Sequence, residues 1–109
     1  MTNTTSAPVT TIERLGNHVG QTVTLQGWVY DKSSKDKLHF IKLRDGTGIC
    51  QCVAFKGDVS EELFEKLGHL GQESSLVLTG TIKAEPRAPG GYEMSVKDGR
   101  VVQQVEGYP

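Results

Sequence analysis

The chain has 109 residues, of which 36% are hydrophobic and 23% are charged, and its formal net charge is −1. This composition is typical of one globular domain, and no apolar run is long enough to cross a bilayer. The near-neutral charge disfavours a non-specific nucleic-acid coat, because such proteins gain affinity from an excess of cations that bind phosphates.

The N-terminal region combines a polar segment with a short helical pattern. Residues 1–9 lack the charged and apolar parts of a signal peptide, so we interpret them as a disordered tail on a cytoplasmic protein. Thr10-Thr11-Ile12-Glu13 has the spacing of a capping box and is followed by apolar residues at helical intervals. This pattern predicts a short N-terminal helix that ends between Gly16 and Gly20.

The first strand is predicted at residues 22–30, where apolar and polar side chains alternate. Gly27 within this strand predicts a bulge or bend, by which a strand turns the corner of a small barrel. We expect the polar, charged residues 31–36 that follow to form a loop.

The second strand presents an aromatic side chain among cations. Because side chains alternate between the two faces of a strand, one face is mostly apolar and comprises His39, Ile41 and Leu43. The other face carries Phe40 together with Lys42 and Arg44. An aromatic beside cations on a solvent-facing strand is the arrangement by which proteins stack an unpaired base and hold its phosphates.

A hairpin turn is predicted at Asp45-Gly46-Thr47-Gly48, since Asp-Gly accepts the positive φ angles of tight turns. It leads to a third strand at residues 49–55. Cys50 and Cys52 lie two residues apart in that strand, so their Cα atoms would be roughly 7 Å apart, beyond the favourable range for a disulfide. Their spacing matches no zinc site, and we interpret them as small core residues in a reducing compartment.

The remaining elements are a helix and two strands. Residues 60–67 predict an amphipathic helix, and residues 75–83 predict the fourth strand. A loop rich in proline and glycine follows at residues 85–91. Residues 92–105 predict a fifth strand that is interrupted at Asp98-Gly99.

Three strands, a helix and two further strands are the element order of the OB-fold, a five-stranded Greek-key barrel. We therefore predict an all-β domain over residues 10–106 with a helix between strands three and four. In this fold strands two and three, with the first and last loops, bind oligonucleotides or oligosaccharides. Phe40, Gln51, the lysine-rich first loop and the loop at residues 86–91 all fall on that surface.

Several motifs resemble the anticodon-binding domain of class IIb aminoacyl-tRNA synthetases, the enzymes that charge tRNA with aspartate, asparagine or lysine. They are Gly27-Trp28-Val29, Phe40, Arg44-Asp45-Gly46-Thr47-Gly48 and Gln51. The loop Arg87-Ala88-Pro89-Gly90-Gly91-Tyr92-Glu93 is most similar to the asparaginyl members. Gly107-Tyr108-Pro109 resembles the point at which those enzymes leave this domain, so residues 107–109 are expected to begin a linker to a catalytic domain.

The resemblance implies that Phe40 stacks on the central anticodon base, a uracil, and that Gln51 pairs with the edge of that uracil. A side-chain amide supplies both a donor and an acceptor, as the uracil edge does. Stacking holds any base, so the choice of uracil would come from Gln51. Glu93 would accept from the first anticodon base, and Pro89 would lie against the third and leave room for uracil. Tyr30 either faces the same neighbourhood or is an ordinary strand aromatic.

The candidates for phosphate contact are Lys32, Lys35, Lys42 and Arg44. Many relatives have an arginine in the first loop where this chain has Ser33, and a glycine where it has Asp36. This departure predicts weaker tRNA contact at that point, for which Lys32 and Lys35 would compensate as mobile point charges.

The sequence presents no catalytic constellation, since it has no glycine-rich phosphate loop, no paired carboxylates in a cleft and no Ser/His/Asp set. We therefore expect a tRNA-binding domain that recognises an anticodon stem-loop with a central uracil, without a cofactor or membrane partner of its own. By resemblance, the parent enzyme is a homodimer that ligates asparagine to tRNA, with ATP and Mg²⁺ bound in a catalytic domain outside this chain.

Three alternatives stay open. A non-discriminating aspartyl-tRNA synthetase would share this domain, since the amino acid is chosen in the catalytic domain. A stand-alone single-strand-binding OB protein predicts more aromatic residues on strands two and three and a basic chain. An OB module that docks onto a protein predicts an apolar patch around Phe40, whereas the neighbours of Phe40 are charged.

Overall fold

The computed structural model describes residues 7–103 and contains five strands. The strands are β1 (Thr22–Lys35), β2 (Leu38–Arg44), β3 (Ile49–Phe55), β4 (Ser75–Ala84) and β5 (Tyr92–Gln103). The helix α1 (Glu61–Gly68) connects β3 to β4. Short 3-10 helices lie at Ile12–Asn17 and Pro89–Gly91.

The strands close into a barrel in the order β1-β2-β3-β5-β4, and β4 pairs with β1. β3 and β5 run parallel, whereas every other neighbouring pair in this barrel is antiparallel. The predicted all-β OB-fold is therefore confirmed, with α1 between β3 and β4. The predicted N-terminal helix is present as a 3-10 helix. None of the described helices is both long and apolar enough to cross a membrane.

The barrel interior is filled by the inward-facing side chains of the five strands. β2 and β3 both alternate between half-buried and fully buried positions, as their sequences predict. The fully buried side chains include Leu25, Ile41, Cys52, Leu78, Ile82 and Met94. Cys50 and Cys52 are both buried and free, which confirms their predicted place in the core. The N-cap of α1 is Ser60, whose Oγ accepts a hydrogen bond from the N–H of Leu63 at 3.1 Å.

The N-terminal 3-10 helix is capped differently from the prediction. Its N-cap residue is Thr11, which makes no capping side-chain bond, so the predicted capping box is wrong. The N–H of Ile12 instead donates to Oδ2 of Asp45 at 2.8 Å, and the N–H of Glu13 donates to Oγ1 of Thr47 at 3.1 Å. Burial alone would raise the pKa of Asp45, but its hydrogen bonds from Thr47 and from backbone groups lower that pKa below its ordinary value. The β2–β3 turn thus anchors the helix.

The connection between β1 and β2 also differs from the prediction. Residues 31–35 do not form a loop but pair with β2 from Leu38 to Lys42, after a bulge between Val29 and Asp31. The turn is reduced to Asp36 and its neighbour, and Asp36 has a φ of 55°. Polar residues on both faces of this hairpin leave no hydrophobic alternation from which a strand could be predicted.

Gly27 directly precedes Trp28, the residue at which the pairing of β1 with β4 ends and its pairing with β2 begins. A Cβ at this position would overlap the backbone carbonyl of Arg44, so the close approach requires glycine. The bulge itself lies later, between Val29 and Asp31.

The ends of the domain can be compared with the predictions only within residues 7–103. Residues 7–9, assigned to a disordered tail, instead lie beside β1, where the N–H of Thr24 donates to the carbonyl of Pro8 at 2.8 Å. β5 is continuous rather than interrupted, although its register against β4 shifts between Ser75 and Leu76 and again between Thr79 and Gly80. The rest of the tail, the end of the predicted fifth strand and the linker lie outside the described residues.

Candidate nucleic-acid interface

The predicted base-binding residues lie on one outward face of β2, β3 and β5. The β2–β3 register places Phe40 opposite Val53 and Lys42 opposite Gln51. Phe40 and Gln51 are therefore diagonal neighbours on the same face, a relation that corresponds to about 7–8 Å. Both side chains are half-buried. We call this surface, with Phe40, Lys42, Gln51 and Glu93, the β2–β3–β5 face.

A row of polar side chains crosses this face. Gln51 is in register with Glu93 on β5, and Glu93 is in register with Lys83 on β4. Nε2 of Gln51 donates to Oε2 of Glu93 at 3.2 Å, while Nζ of Lys83 lies 3.2 Å from Oε1 of the same carboxylate. Both carboxylate oxygens of Glu93 thus have a partner, one on each neighbouring strand.

The Glu93 contact fixes the direction of the Gln51 amide. A carboxylate accepts hydrogen bonds and has no proton to donate, so the amide must turn its Nε2 toward Glu93. The Glu93 side chain is only 12% exposed, which strengthens its interactions with neighbouring dipoles and charges. Oε1 and the second N–H of Gln51 are then left for a ligand.

The four predicted phosphate-binding cations fall into two groups. Nζ of Lys32 donates to the carbonyl of Gly68 at the end of α1, at 2.9 Å. Nη2 of Arg44 lies 2.6 and 2.8 Å from the two carboxylate oxygens of Glu73. Lys35 and Lys42 have no ion-pair partner within residues 7–103. Of the four, only Lys35 and Lys42 therefore have neither an ion pair nor a side-chain hydrogen bond within residues 7–103.

Pro89 and Tyr30 flank the face rather than lying at its centre. Pro89 lines a cavity of about 160 Å³ together with Ile49 and Tyr92, next to Glu93 in the sequence. Tyr30 is 47% exposed and sits at the bulge in β1, where its carbonyl accepts from Nε2 of Gln72 at 2.9 Å. The structure leaves both roles as predictions.

The two departures from the family pattern lie in the β1–β2 hairpin. Ser33 is directly opposite Phe40, so the arginine that the resemblance leads one to expect at this position would stand beside the aromatic ring. Asp36 has a left-handed backbone conformation, with a φ of 55°, that glycine adopts at lower cost. The first departure thus removes a cation from the edge of the β2–β3–β5 face.

His39 ties the β1–β2 hairpin to α1 from the inner side of β2. Its Nε2 lies 3.0 Å from the carbonyl of Phe64 and its Nδ1 lies 2.7 Å from Oγ of Ser34. Because a carbonyl only accepts, Nε2 carries the proton and Nδ1 accepts from the serine hydroxyl. The ring also stacks on Phe64, with centroids 4.0 Å apart. Burial lowers the pKa of His39, opposed by the Phe64 carbonyl and aided by the charge of Lys32.

Lys83 is the member of the polar row that sequence reasoning missed. Alternation along β4 could have placed it on the outer face, but its contact with Glu93 depends on the pairing of β4 with β5. Within residues 7–103, no cluster of His, Cys, Asp or Glu is arranged to hold a metal ion. A groove of about 580 Å³ lies elsewhere, beside Trp28 and Val102, and none of the predicted site residues lines it.

Residues 23–102 match the family model of the tRNA anticodon OB-fold nucleic acid binding domain. The chain is 53% identical over 106 residues to asparagine–tRNA ligase of Koribacter versatilis, covering 94% of this chain and 24% of that protein. It therefore spans about a quarter of the length of that relative.

Two solved structures extend the comparison. Asparaginyl-tRNA synthetase from Pyrococcus horikoshii, complexed with asparaginyl-adenylate, is 42% identical with a TM-score of 0.84, over 92% of this chain and 23% of that chain. Aspartyl-tRNA synthetase from Entamoeba histolytica is 29% identical with a TM-score of 0.81, over 97% of this chain and 23% of that chain. The chain belongs to the tRNA anticodon family of OB-fold nucleic acid binding domains, in the form found in asparaginyl-tRNA synthetases.

Proposed function

We propose that this domain recognises the asparagine anticodon by stacking the central uracil on Phe40 and identifying it with Gln51. The observation that carries the proposal is the amide of Gln51, which lies diagonally from Phe40 and is oriented by Glu93. A base that stacks on the Phe40 ring extends along the face toward this amide. Phe40 then supplies affinity for any base, and Gln51 supplies the choice.

The orientation of the amide favours uracil over cytosine. Uracil offers an N3–H donor beside carbonyl acceptors, which match Oε1 and the remaining N–H of Gln51. Cytosine offers an N3 acceptor beside an amino donor, so the amide would have to flip. The flipped amide would place Oε1 against the Glu93 carboxylate, two acceptors without a proton between them.

The other contacts of the anticodon follow from the same face. Each oxygen of Glu93 retains a further acceptor position beyond its present partner, which a purine at the first anticodon position can use. Pro89 offers no side-chain donor and leaves space for a third-position uracil. Lys35 and Lys42 are the cations best placed to bind phosphates, because their charges are uncommitted within residues 7–103.

We further infer that the full-length protein is a cytoplasmic, homodimeric asparagine–tRNA ligase that uses ATP and Mg²⁺ in a separate catalytic domain. The 53% identity to an asparagine–tRNA ligase supports this proposal, whereas the identity to the aspartyl-tRNA synthetase of Entamoeba histolytica is 29%. Aminoacylation by the full-length protein with asparagine and not with aspartate is the assay that tests it.

The anticodon proposal is tested by the binding of the domain to two stem-loops that differ only in a central uracil or cytosine. Wild-type protein should prefer uracil, and Gln51→Ala should bind both about equally, because the discriminating amide is gone. Gln26→Ala, an exposed glutamine on β1 away from the face, is the matched control and should keep the preference. Equal wild-type affinity for the two RNAs would overturn the proposal.

A further inference from the structure

We propose that Lys83 is a positioning residue for uracil selection, which acts by holding the Glu93 carboxylate that orients the Gln51 amide. This inference rests on the proposed function and deepens it. Lys83 lies on β4, on the opposite side of Glu93 from Gln51, so its effect on the base passes through the other two side chains.

The contacts form a continuous chain across three strands. Nζ of Lys83 is 3.2 Å from Oε1 of Glu93, and Oε2 of Glu93 accepts from Nε2 of Gln51 at 3.2 Å. The two ends of the ion pair differ in burial, since the Lys83 side chain is 57% exposed and that of Glu93 only 12%. Water therefore solvates the Lys83 ammonium well, whereas the Glu93 carboxylate depends on its protein partners to stabilise its charge.

Removal of Lys83 would leave a nearly buried carboxylate without its cation, which is costly. Glu93 would then turn toward solvent, where its carboxylate no longer constrains the Gln51 amide. The flipped amide becomes accessible, and with it the pairing to cytosine. Stacking on Phe40 is unaffected, and loss of the Glu93 contact with the first anticodon base would weaken both RNAs alike, so the ratio of the two affinities reports the change at Gln51.

The ratio of dissociation constants for the cytosine and uracil stem-loops measures this effect. Lys83→Met should lower the ratio by about tenfold, the loss expected for a hydrogen bond that involves a charged group. Lys83→Arg, which keeps the positive charge, should retain the wild-type ratio. Lys97→Met removes another half-exposed lysine that pairs with a carboxylate, Asp58 at 3.6 Å, and should leave the ratio unchanged.

A second measurement uses the domain without RNA. In wild-type protein the side-chain amide protons of Gln51 should give NMR signals displaced from those of a free glutamine, because one proton bonds a carboxylate. Lys83→Met should move them toward the free values, and the rest of the same spectrum reports whether the variant is folded. Neither the ratio of dissociation constants nor the Gln51 signals would change if Lys83 served only to stabilise the sheet.

Two outcomes would overturn the inference. One is a Lys83→Met variant that keeps both the wild-type ratio and the Gln51 signals. The other is equal weakening for both RNAs, which would make Lys83 a phosphate contact. Failure of the proposed function is distinguishable, because wild-type protein would then show no preference between the RNAs while the Gln51 signals would still respond to Lys83→Met.

Discussion

The β2–β3–β5 face and the β1–β2 hairpin carry similar sequence signals, but the fold uses their charged groups differently. On the face, Glu93 and Lys83 compensate one another around Gln51 and leave its outer amide groups free for a ligand. In the hairpin, Lys32 binds the end of α1. At the end of β2 farthest from the hairpin turn, Arg44 binds Glu73. A cationic residue in the sequence is therefore not by itself a phosphate contact, because in the fold its side chain can bind another group of the protein.

The burial of the partners shows why the two regions differ. Arg44 and Glu73 have side-chain exposures of 44% and 55%, so their ion pair is worth little to stability. In the protein without RNA it nevertheless occupies the Arg44 guanidinium. Glu93 is shielded, so its contacts impose a direction on Gln51. The shielded contacts of Glu93 therefore orient a neighbouring side chain, whereas the exposed ion pair of Arg44 does not.

The largest expected effect in this comparison lies at Phe40. Phe40→Ala should weaken the binding of all stem-loops by about 1–3 kcal/mol, since base stacking does not depend on sequence. Titration with the uracil and cytosine stem-loops measures it. Phe55→Ala is the matched control, an aromatic 43% exposed on β3, on the other side of Phe40 from Gln51. If both variants lost the same affinity, the special role of Phe40 would be refuted.

A smaller effect separates the two groups of cations. Lys42→Gln should reduce the slope of log affinity against log salt by about 1, because one phosphate contact is lost. Lys32→Gln should leave that slope unchanged, since Lys32 is bound to the Gly68 carbonyl. The measurement is a salt titration with one stem-loop. An equal change of slope in both variants would show that Lys32 leaves α1 to bind RNA, and the contrast between the regions would fail.

The smallest expected effect concerns the inner side of the hairpin. Because burial lowers the pKa of His39 in the folded state, the unfolded state binds a proton more readily. The His39 contribution to stability is thus complete above the ordinary histidine pKa of about 6.5 and is lost as the pH falls toward the folded-state value. Asp45, whose folded pKa is also lowered, loses its contribution only below its own ordinary value of about 3.9.

Urea unfolding at about pH 7.5 and about pH 5.5 tests the role of His39. Wild-type protein should lose stability at the lower pH, and His39→Gln should lose less, because glutamine does not titrate. Equal losses in the two proteins would contradict the neutral, hydrogen-bonded histidine.

Local patterns were enough to predict the barrel and the placement of Phe40. Strict alternation in β2 and the Asp45-Gly46 turn fixed which side chains face outward, and the burial of Ile41 and Leu43 confirms that division. The helix between β3 and β4 followed from its own amphipathic pattern.

The features that were missed depend on partners distant in the sequence. The N-terminal helix is capped by Asp45, 33 residues away from the N–H that it accepts, and no local motif encodes that contact. Lys83 meets Glu93 only through the β4–β5 register, and β1 continues to Lys35 because β2 supplies its hydrogen bonds. Each of these contacts joins two segments that pair only in the folded barrel, and the residue pattern of one segment does not identify its partner.

Selection of the central anticodon uracil by Gln51 is measured by the ratio of wild-type affinities for the uracil and cytosine stem-loops. At one fixed salt concentration the phosphate contacts cancel in this ratio. Wild-type protein should prefer uracil by about tenfold or more, because cytosine reverses the hydrogen-bond pattern. Equal affinities for the two stem-loops would contradict it.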